Sequence, residues 1–181
     1  MLDKFLGINS VTLVGCYKKI DNQYYLDTAD GVFELLNELK GASVNDNYVI
    51  YGSFFFKSKT SYVRVHSFAK NDFNSGKRNN IYVVGEITKV NLRGTQEDPW
   101  ADVLITIKHK IDDSVTSDIV KVILSNSSLN KINYDINVGD WLGVSCHKTK
   151  SETFALKVNS VSEHFPKAIR DFWENYKKSN Y

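Results

Sequence analysis

Hydrophobic and polar residues alternate along most of this chain with a period of two. The alternation is clear where Val103, Ile105 and Ile107 share one face of a run whose other face carries threonine and lysine. Such runs are rich in β-branched and aromatic residues and are separated by turn residues, which is typical of strands. The predicted strands are Val11–Lys19, Gln23–Thr28, Asn47–Lys57, Ser61–Phe68, Ile81–Lys89, Asp102–Lys110, Asp118–Leu124, Trp141–Lys148 and Thr153–Val161.

Three segments depart from this alternation. In Val32–Leu39 the valine and the leucines follow helical spacing, which favours a short helix and leaves a strand as the alternative. Ser127–Ile136 predicts a second short helix, capped by Ser127 or Ser128. Val90–Trp100 contains a glycine and a proline and predicts a loop.

The C-terminal segment has a helical period. Pro166 suits the first turn of a helix, and an apolar stripe follows it. We expect this helix to dock on the rest of the chain, and binding of a partner is the alternative. The candidate partner-binding residues are Ile169, Phe172, Trp173 and Tyr176.

The two halves of the chain carry similar strand openings, NSVTLVGCYKK and NNIYVVGEITK, with Gly15 and Gly85 at matching places. In the second half, three strands, a short helix and two strands follow one another, which is the order of the five-stranded OB-fold barrel. The predicted fold is mainly β, with tandem OB-fold barrels and a short C-terminal α-helix. The predicted domains are a small OB-fold over residues 1–70, a linker over 71–78, a second OB-fold over 79–164 and an amphipathic helix over 165–181.

Composition narrows the class of protein. The formal net charge is only +2, so a basic surface for a polyanion has to arise from local arrangement. Cys16 and Cys146 form no CxxC pair and have no metal-ligand spacing, so we expect buried thiols in a reducing compartment and neither a metal nor a cofactor. The absence of a signal peptide or an apolar span predicts a cytoplasmic protein without a membrane partner.

From Asn79 to Phe165 the chain resembles the single-stranded DNA-binding protein family of bacteria and phages. The segments that carry the resemblance are NNIYVVGEITK, ADVLITIKHK, SDIVKVIL, NVGDWLGV and FALKVNSVSEHF. The resemblance implies an OB-fold that binds single-stranded DNA in replication or recombination. The first half is similar at the level of the fold.

The chain departs from the family in two places. The family ends in an acidic tail that recruits repair and replication proteins, whereas this chain ends in NYKKSNY, so that role is not carried over. The family also has a stacking tryptophan at the end of the third strand, where this chain has Ser125. Tandem barrels in one chain would replace the family's homotetramer, and a homo-oligomer is left open.

Binding of a single strand requires cations for phosphates and flat side chains for bases. In the first half, alternation places Tyr62, Arg64, His66 and Phe68 on one face, and we expect the first three to point outward. At least one of the consecutive phenylalanines 54–56 must also point away from the core. The candidate nucleic-acid-binding residues of this half are Phe55, Lys57, Lys59, Tyr62, Arg64 and His66.

The second half offers a row of lysines on one strand face and two cations in the loop between its last strands, which OB-folds use to bind nucleic acid. A tryptophan and an arginine belong to the predicted loop at Val90–Trp100. The candidates here are Arg93, Trp100, Lys108, Lys110, Lys121, Lys148 and Lys150.

The sequence contains no phosphate-binding glycine loop, no HExxH and no paired-carboxylate motif, and its four histidines are scattered, so we expect no enzyme. The predicted function is single-stranded DNA binding in replication or recombination, with replication or recombination proteins as further partners. A phage or mobile-element origin is left open. The alternative is an OB-fold adaptor that binds a polymerase, primase or helicase with little DNA affinity, which the near-neutral charge and the apolar helix favour. RNA binding cannot be separated from DNA binding on this sequence.

Overall fold

The computed structural model describes residues 7–57, 60–71, 79–111, 114–148 and 155–180 of the chain. The strands are β1 (Ile8–Ile20), β2 (Gln23–Thr28), β3 (Gly31–Leu35), β4 (Asn47–Lys57), β5 (Thr60–Lys70), β6 (Asn80–Gly94), β7 (Pro99–Ile111), β8 (Ser114–Leu124), β9 (Trp141–His147) and β10 (Leu156–Phe165). The helices are α1 (Asn126–Lys131) and α2 (Lys167–Asn180). In the described part of the chain, neither helix is long and apolar enough to cross a membrane.

The first five strands close into a ring, the first barrel. β1 pairs with both β2 and β4, β2 pairs with β3, and β4 pairs with β5, all in antiparallel orientation. β3 and β5 pair in parallel and complete the ring. The order β1-β2-β3-β5-β4 is that of an OB-fold.

The next five strands repeat this ring as the second barrel. β6 pairs with both β7 and β9, β7 with β8 and β9 with β10, and the parallel pair is β8 with β10. α1 lies between β8 and β9 in the chain, where the sequence predicts a short helix. The prediction of tandem OB-fold barrels with a short C-terminal helix is therefore confirmed. The domain boundaries stay a prediction, and residues 72–78 of the predicted linker lie outside the described residues.

The two barrels are joined edge to edge. Residues Ile8–Thr12 of β1 pair antiparallel with Asn80–Val84 of β6, so a single ten-stranded sheet runs through both rings. The side chain of Asn79 adds a second tie, because its Oδ1 accepts from the Val14 amide at 2.8 Å and its Nδ2 donates to Asp30 at 2.6 Å. Buried side chains of both barrels form one continuous cluster. The strand pairing and these ties fix the position of one barrel relative to the other.

Gly15 and Gly85 occupy equivalent places in the two barrels. At Gly15, β1 leaves its partner β4 and turns to β2, and at Gly85, β6 leaves β9 and turns to β7. A Cβ on Gly15 would lie 2.3 Å from the carbonyl oxygen of Asp27, and one on Gly85 would lie 2.5 Å from that of Thr106. The bend of each first strand thus requires a residue without a side chain.

The prediction of a helix at Val32–Leu39 is wrong. Residues Gly31–Leu35 form β3, which pairs with β2 and, in parallel, with β5. Phe33 and Leu35 point into the barrel, while Val32 and Leu36 are about half exposed. The valine and the leucines at helical spacing therefore do not share one buried face.

Two boundaries in the second half also differ from the prediction. The segment Val90–Trp100 is mostly strand, because β6 continues to Gly94 and β7 begins at Pro99. The helix α1 is capped by Ser125, whose side chain accepts from the Ser128 amide, and not by Ser127 or Ser128. Ser125 therefore serves as the N-cap residue of α1.

A β-bulge in β5 changes the predicted faces of its second half. Tyr51 pairs with Ser67 and Gly52 with Val65, which leaves His66 as the extra residue. The bulge reverses the alternation, so Phe68 packs against the core and lies edge-on to Tyr48 at 5.7 Å between ring centroids. The prediction that Phe68 shares the face of Tyr62 is therefore wrong.

The helix α2 is anchored at its first turn by polar contacts. The buried carboxylate of Asp140 accepts from the Lys167 amide at 2.8 Å and lies 3.1 Å from His164 Nε2. Farther along, Arg170 approaches Glu86 of β6 at 4.0 Å. Phe165, Ile169 and Phe172 are 46–63% exposed, so these residues are not buried on a barrel as the sequence analysis expects. The side chains of Trp173 and Tyr176 lie outside the described residues.

Deletion of residues 166–181 should therefore lower the free energy of unfolding by only about 1–2 kcal/mol, because a capping contact and a surface ion pair are lost. We expect an unchanged oligomeric state. Urea unfolding and light scattering of the full and truncated chains measure both quantities. A loss above about 4 kcal/mol would show extensive burial of the helix, and a fall from oligomer to monomer would show that the helix mediates self-association.

Candidate nucleic-acid interface

Two aromatic side chains of the first barrel form a stacked pair on its outer surface. Phe55 of β4 and Tyr62 of β5 are direct cross-strand neighbours. Their ring centroids lie 5.5 Å apart with an angle of 25° between the planes. Phe55 is almost fully buried, whereas Tyr62 is half-buried and remains partly open to solvent. The alternation of β5 sets this geometry, because Val63 between Tyr62 and Arg64 points into the core.

Arg64 lies against this pair. Its guanidinium carbon is 4.9 Å from the centroid of the Phe55 ring, within the range of a cation–π interaction. The same guanidinium forms an ion pair with Asp118 of β8, with Nη1 and Oδ2 3.4 Å apart. Arg64 therefore bridges the two barrels and provides a cation beside two aromatic rings.

A cleft of about 590 Å³ opens at this junction. The first barrel contributes the aromatic pair, Arg64, Leu36 and Phe56, and the second barrel contributes Ser117, Asp118 and Ile119 of β8. We call it the inter-barrel cleft. It combines apolar rings, one guanidinium and one carboxylate.

The outer surface of β7 and β8 extends from this cleft. Ser117 of the cleft pairs with Lys108, Ile119 pairs with Thr106, and Lys121 lies farther along the same face of β8. We call this surface, from Ser117 to Ile123 with the facing residues of β7, the β7–β8 face. It spans about 20 Å, given about 3.3 Å per strand residue. Lys108 forms a long ion pair with Glu86, with Nζ and Oε2 3.9 Å apart, but its side chain is half exposed, so an anion can still reach the amino group.

A cation cluster lies at the far end of the β7–β8 face. Arg93 and Trp100 are paired residues at the ends of β6 and β7, with the guanidinium carbon 5.8 Å from the ring centroid. Asp102 holds both neighbouring cations, with contacts of 2.9 Å to Arg93 and 3.6 Å to Lys121. The β7–β8 face therefore has an aromatic group at each end. Trp100 with Arg93 lies at one end, and the Phe55–Tyr62 pair of the cleft lies at the other.

Lys148 is placed apart from both groups. It directly follows β9, and its amino group donates to the Val32 carbonyl of the first barrel and lies 5.0 Å from the centroid of the Phe33 ring. Burial lowers the pKa of Lys148, and the carboxylate of Glu34 opposes that shift. Burial likewise raises the pKa of Glu34. This lysine ties the barrels together, and its position does not extend the β7–β8 face.

The other candidates are partly outside the described residues. His66 is exposed at the bulge of β5, with Nε2 3.2 Å from Ser53 Oγ, and does not line the cleft. Lys57 and Lys110 lie in strands, but their side chains are not described. Lys59 and Lys150 lie outside the described residues altogether.

Sequence reasoning missed Asp118. This residue shares the inward register of Val120 and Val122 in β8, and it is 7% exposed. A carboxylate at a position that alternation assigns to the core was the available signal, since buried charges need partners. Its partners come from β1, β5 and β7, which no local pattern reveals.

Among the described residues, no group of three or more His, Cys, Asp or Glu side chains is arranged to hold a metal ion. Cys146 is 2% exposed in the hydrophobic core, and this burial raises the pKa of its thiol to about 12.

Aromatic rings are suited to stacking on flat groups such as bases, and cations are suited to binding phosphates. A surface that combines the two is suited to a long, negatively charged ligand that carries flat groups. The fold that carries this surface is a tandem OB-fold. The sequence matches no protein-family model and no curated protein. The structure, in contrast, resembles solved structures of single-stranded DNA-binding proteins.

Two of these are from Thermus aquaticus. The crystal structure of its wild-type single-stranded DNA-binding protein aligns with a TM-score of 0.59 at 14% identity, covering 90% of this chain and 94% of that chain. A deletion variant of the same protein with one further substitution aligns with a TM-score of 0.55 at 13% identity, covering 89% and 98%. The likeness spans both barrels, and at these identities it establishes the fold.

Proposed function

We propose that this protein binds single-stranded DNA along a continuous path from the inter-barrel cleft over the β7–β8 face. The observation that carries the proposal is the juxtaposition of the Phe55–Tyr62 pair and Arg64 with β8, whose outer surface leads to further cations. Bases would stack on Tyr62, and backbone phosphates would contact Lys108 and Lys121. The similar Thermus aquaticus structures are of proteins named for single-stranded DNA binding, which supports the same ligand here.

Within this proposal the protein protects or presents single strands during DNA replication or recombination in the cytoplasm, or in the host cytoplasm if a phage encodes it. The activity is binding without catalysis. Single strands would be preferred to duplexes with weak sequence preference, because stacking and phosphate contacts are common to all bases. An arm with an RNA oligonucleotide of the same length tests the choice between the nucleic acids.

A second candidate function is an adaptor of a polymerase, primase or helicase with little DNA affinity. The exposure of Phe165, Ile169 and Phe172 near the start of α2 favours it, since clustered apolar side chains at a surface often mark an interaction site. If tens of micromolar protein leaves a labelled 30-mer unbound at low salt, the adaptor function replaces DNA binding.

The variant Lys108→Ala with Lys121→Ala should bind oligo-dT about three- to fivefold more weakly at low salt and with a shallower salt dependence. Each lost phosphate contact lowers the slope of log K against log salt by about 0.7 for a single strand. Fluorescence anisotropy at several salt concentrations measures both quantities.

The matched control removes two cations elsewhere. Lys19 and Lys40 are exposed on the first barrel and border neither the cleft nor the β7–β8 face. Lys19→Ala with Lys40→Ala should leave the slope nearly unchanged. Equal losses in the two double variants would show that only total charge matters and would contradict the proposed path.

A further inference from the structure

The Arg64 guanidinium, a central cation of the proposed path, already has an anionic partner within the protein. Nη1 and Nη2 of Arg64 face the two carboxylate oxygens of Asp118 at 3.4 and 3.5 Å. Two nitrogens facing two oxygens is also the arrangement in which arginine binds a phosphate. The carboxylate thus occupies the position that a phosphate would take on this guanidinium.

Asp118 is held in that position from its other sides. Asn9 Nδ2 donates to Oδ2 at 3.3 Å, and His109 Nδ1 lies 3.8 Å from the same oxygen. Asn9 is itself fixed, because its side chain exchanges hydrogen bonds of 2.6 and 2.8 Å with the backbone of Phe54. The carboxylate is therefore positioned by β1 and β7 as well as by Arg64, and it cannot swing into solvent without breaking these contacts.

Tyr62 and Arg64 differ in how readily a ligand can use them. Asp118 is 7% exposed, whereas Tyr62 is half-buried beside it and Arg64 is 32% exposed. A nucleotide that enters the cleft finds an accessible ring but a guanidinium whose charge is largely compensated. Stacking and phosphate binding are thus separated within one site.

We propose that Asp118 competes with the DNA phosphate for Arg64 and so limits the affinity and the salt dependence of the inter-barrel cleft. The inference rests on the proposed function, since it concerns the same ligand and the same cleft. A phosphate that reaches Arg64 has to displace or share the carboxylate. The cleft consequently binds a base by stacking, while the phosphate contacts come from Lys108 and Lys121. Each of these ammonium groups approaches only one carboxylate oxygen, at 3.9 and 3.6 Å, whereas the Arg64 guanidinium faces both oxygens of Asp118.

The test is Asp118→Asn, which keeps the shape and removes the charge. We expect its affinity for a labelled oligo-dT 30-mer to rise about three- to fivefold at low salt, with a steeper salt slope, because one more phosphate contact becomes available. In an Arg64→Gln background the same substitution should give no gain. Asp27→Asn, which removes an exposed carboxylate from β2, controls for net charge and should change affinity less than about twofold.

The outcomes separate the inference from the proposed function. If the wild type binds and Asp118→Asn binds equally, or if the gain persists without Arg64, the inference is wrong and the proposed function stands. If only Asp118→Asn binds, the competition is stronger than expected and the inference is supported. If neither binds, both are wrong. Thermal melting confirms the folded state of each variant, and Asp118→Ser replaces the asparagine variant should that one not fold.

Discussion

Replacing Gly15 with alanine should destabilise the protein by about 3 kcal/mol or more. The added Cβ would lie 2.3 Å from the carbonyl oxygen of Asp27 and 2.9 Å from its carbonyl carbon. Both are backbone atoms of the paired strand β2, so relief requires the strands to separate at the bend of the barrel. Gly85→Ala should have a similar effect in the second barrel, where the carbonyl oxygen of Thr106 lies 2.5 Å from the added atom.

The control is Gly41→Ala. Gly41 has a φ of +84° but no atom within 4 Å of an added Cβ. Its replacement costs only the strain of the left-handed backbone, about 1 kcal/mol. Urea unfolding of the three variants compares the two effects. A loss at Gly15 no larger than the loss at Gly41 would show that β1 and β2 can move apart freely, and the steric explanation of the shared glycine would be wrong.

The fold was largely predictable because the two barrels share a similar short sequence at the start of their first strands. The glycine within a strand opening recurs at Gly15 and Gly85, and each glycine meets a carbonyl of the strand that follows in its barrel. The pattern of strands around one short helix was equally visible in the second half. A steric requirement at one backbone position is recorded by residue type, so sequence reasoning can recover it.

The error at Val32–Leu39 has a physical cause. The strand β3 ends at Leu35, so Leu36 and Leu39 lie in the connection that follows it. The helical spacing of these leucines is therefore a coincidence of two different structures. Val32 and Leu36 are about half exposed, while Phe33, which the helical reading ignored, is 1% exposed. Pairing with β5, distant in sequence, decides the conformation. Tertiary contacts override local propensity in such short segments.

The candidate site was predicted only in part. Tyr62 and Arg64 followed from the alternation with Val63, and the structure places them together. Their approach to β8 depends on how the barrels are joined, and no local pattern encodes that arrangement. Asp118 was missed for the same reason. The bulge at His66 likewise arises from the register of β4 with β5 and reverses a face that strict alternation had assigned.

Replacing Tyr62 with alanine should weaken binding of oligo-dT about tenfold, since stacking contributes about 1–3 kcal/mol per base. The salt slope should stay unchanged because no charge is removed. Tyr62→Phe keeps the ring and should bind as the wild type does. Anisotropy titrations of the three proteins at two salt concentrations measure affinity and slope together.

The matched control for Tyr62 is Tyr82→Ala. Tyr82 lies on β6 between β1 and β9, with its hydroxyl 3.1 Å from Ser162 Oγ, and it does not line the inter-barrel cleft. Its replacement should leave affinity within about twofold, since no base stacks there. If the wild type and Tyr62→Ala are both folded and bind with nearly equal affinity, bases do not stack on Tyr62 in the cleft. Any remaining binding would then depend on the lysines of the β7–β8 face and would lose most of its strength at high salt. The reverse pattern, a tenfold loss at Tyr62 with an unchanged slope, assigns base contact to the first barrel, and a shallower slope in Lys108→Ala with Lys121→Ala assigns phosphate contact to the second.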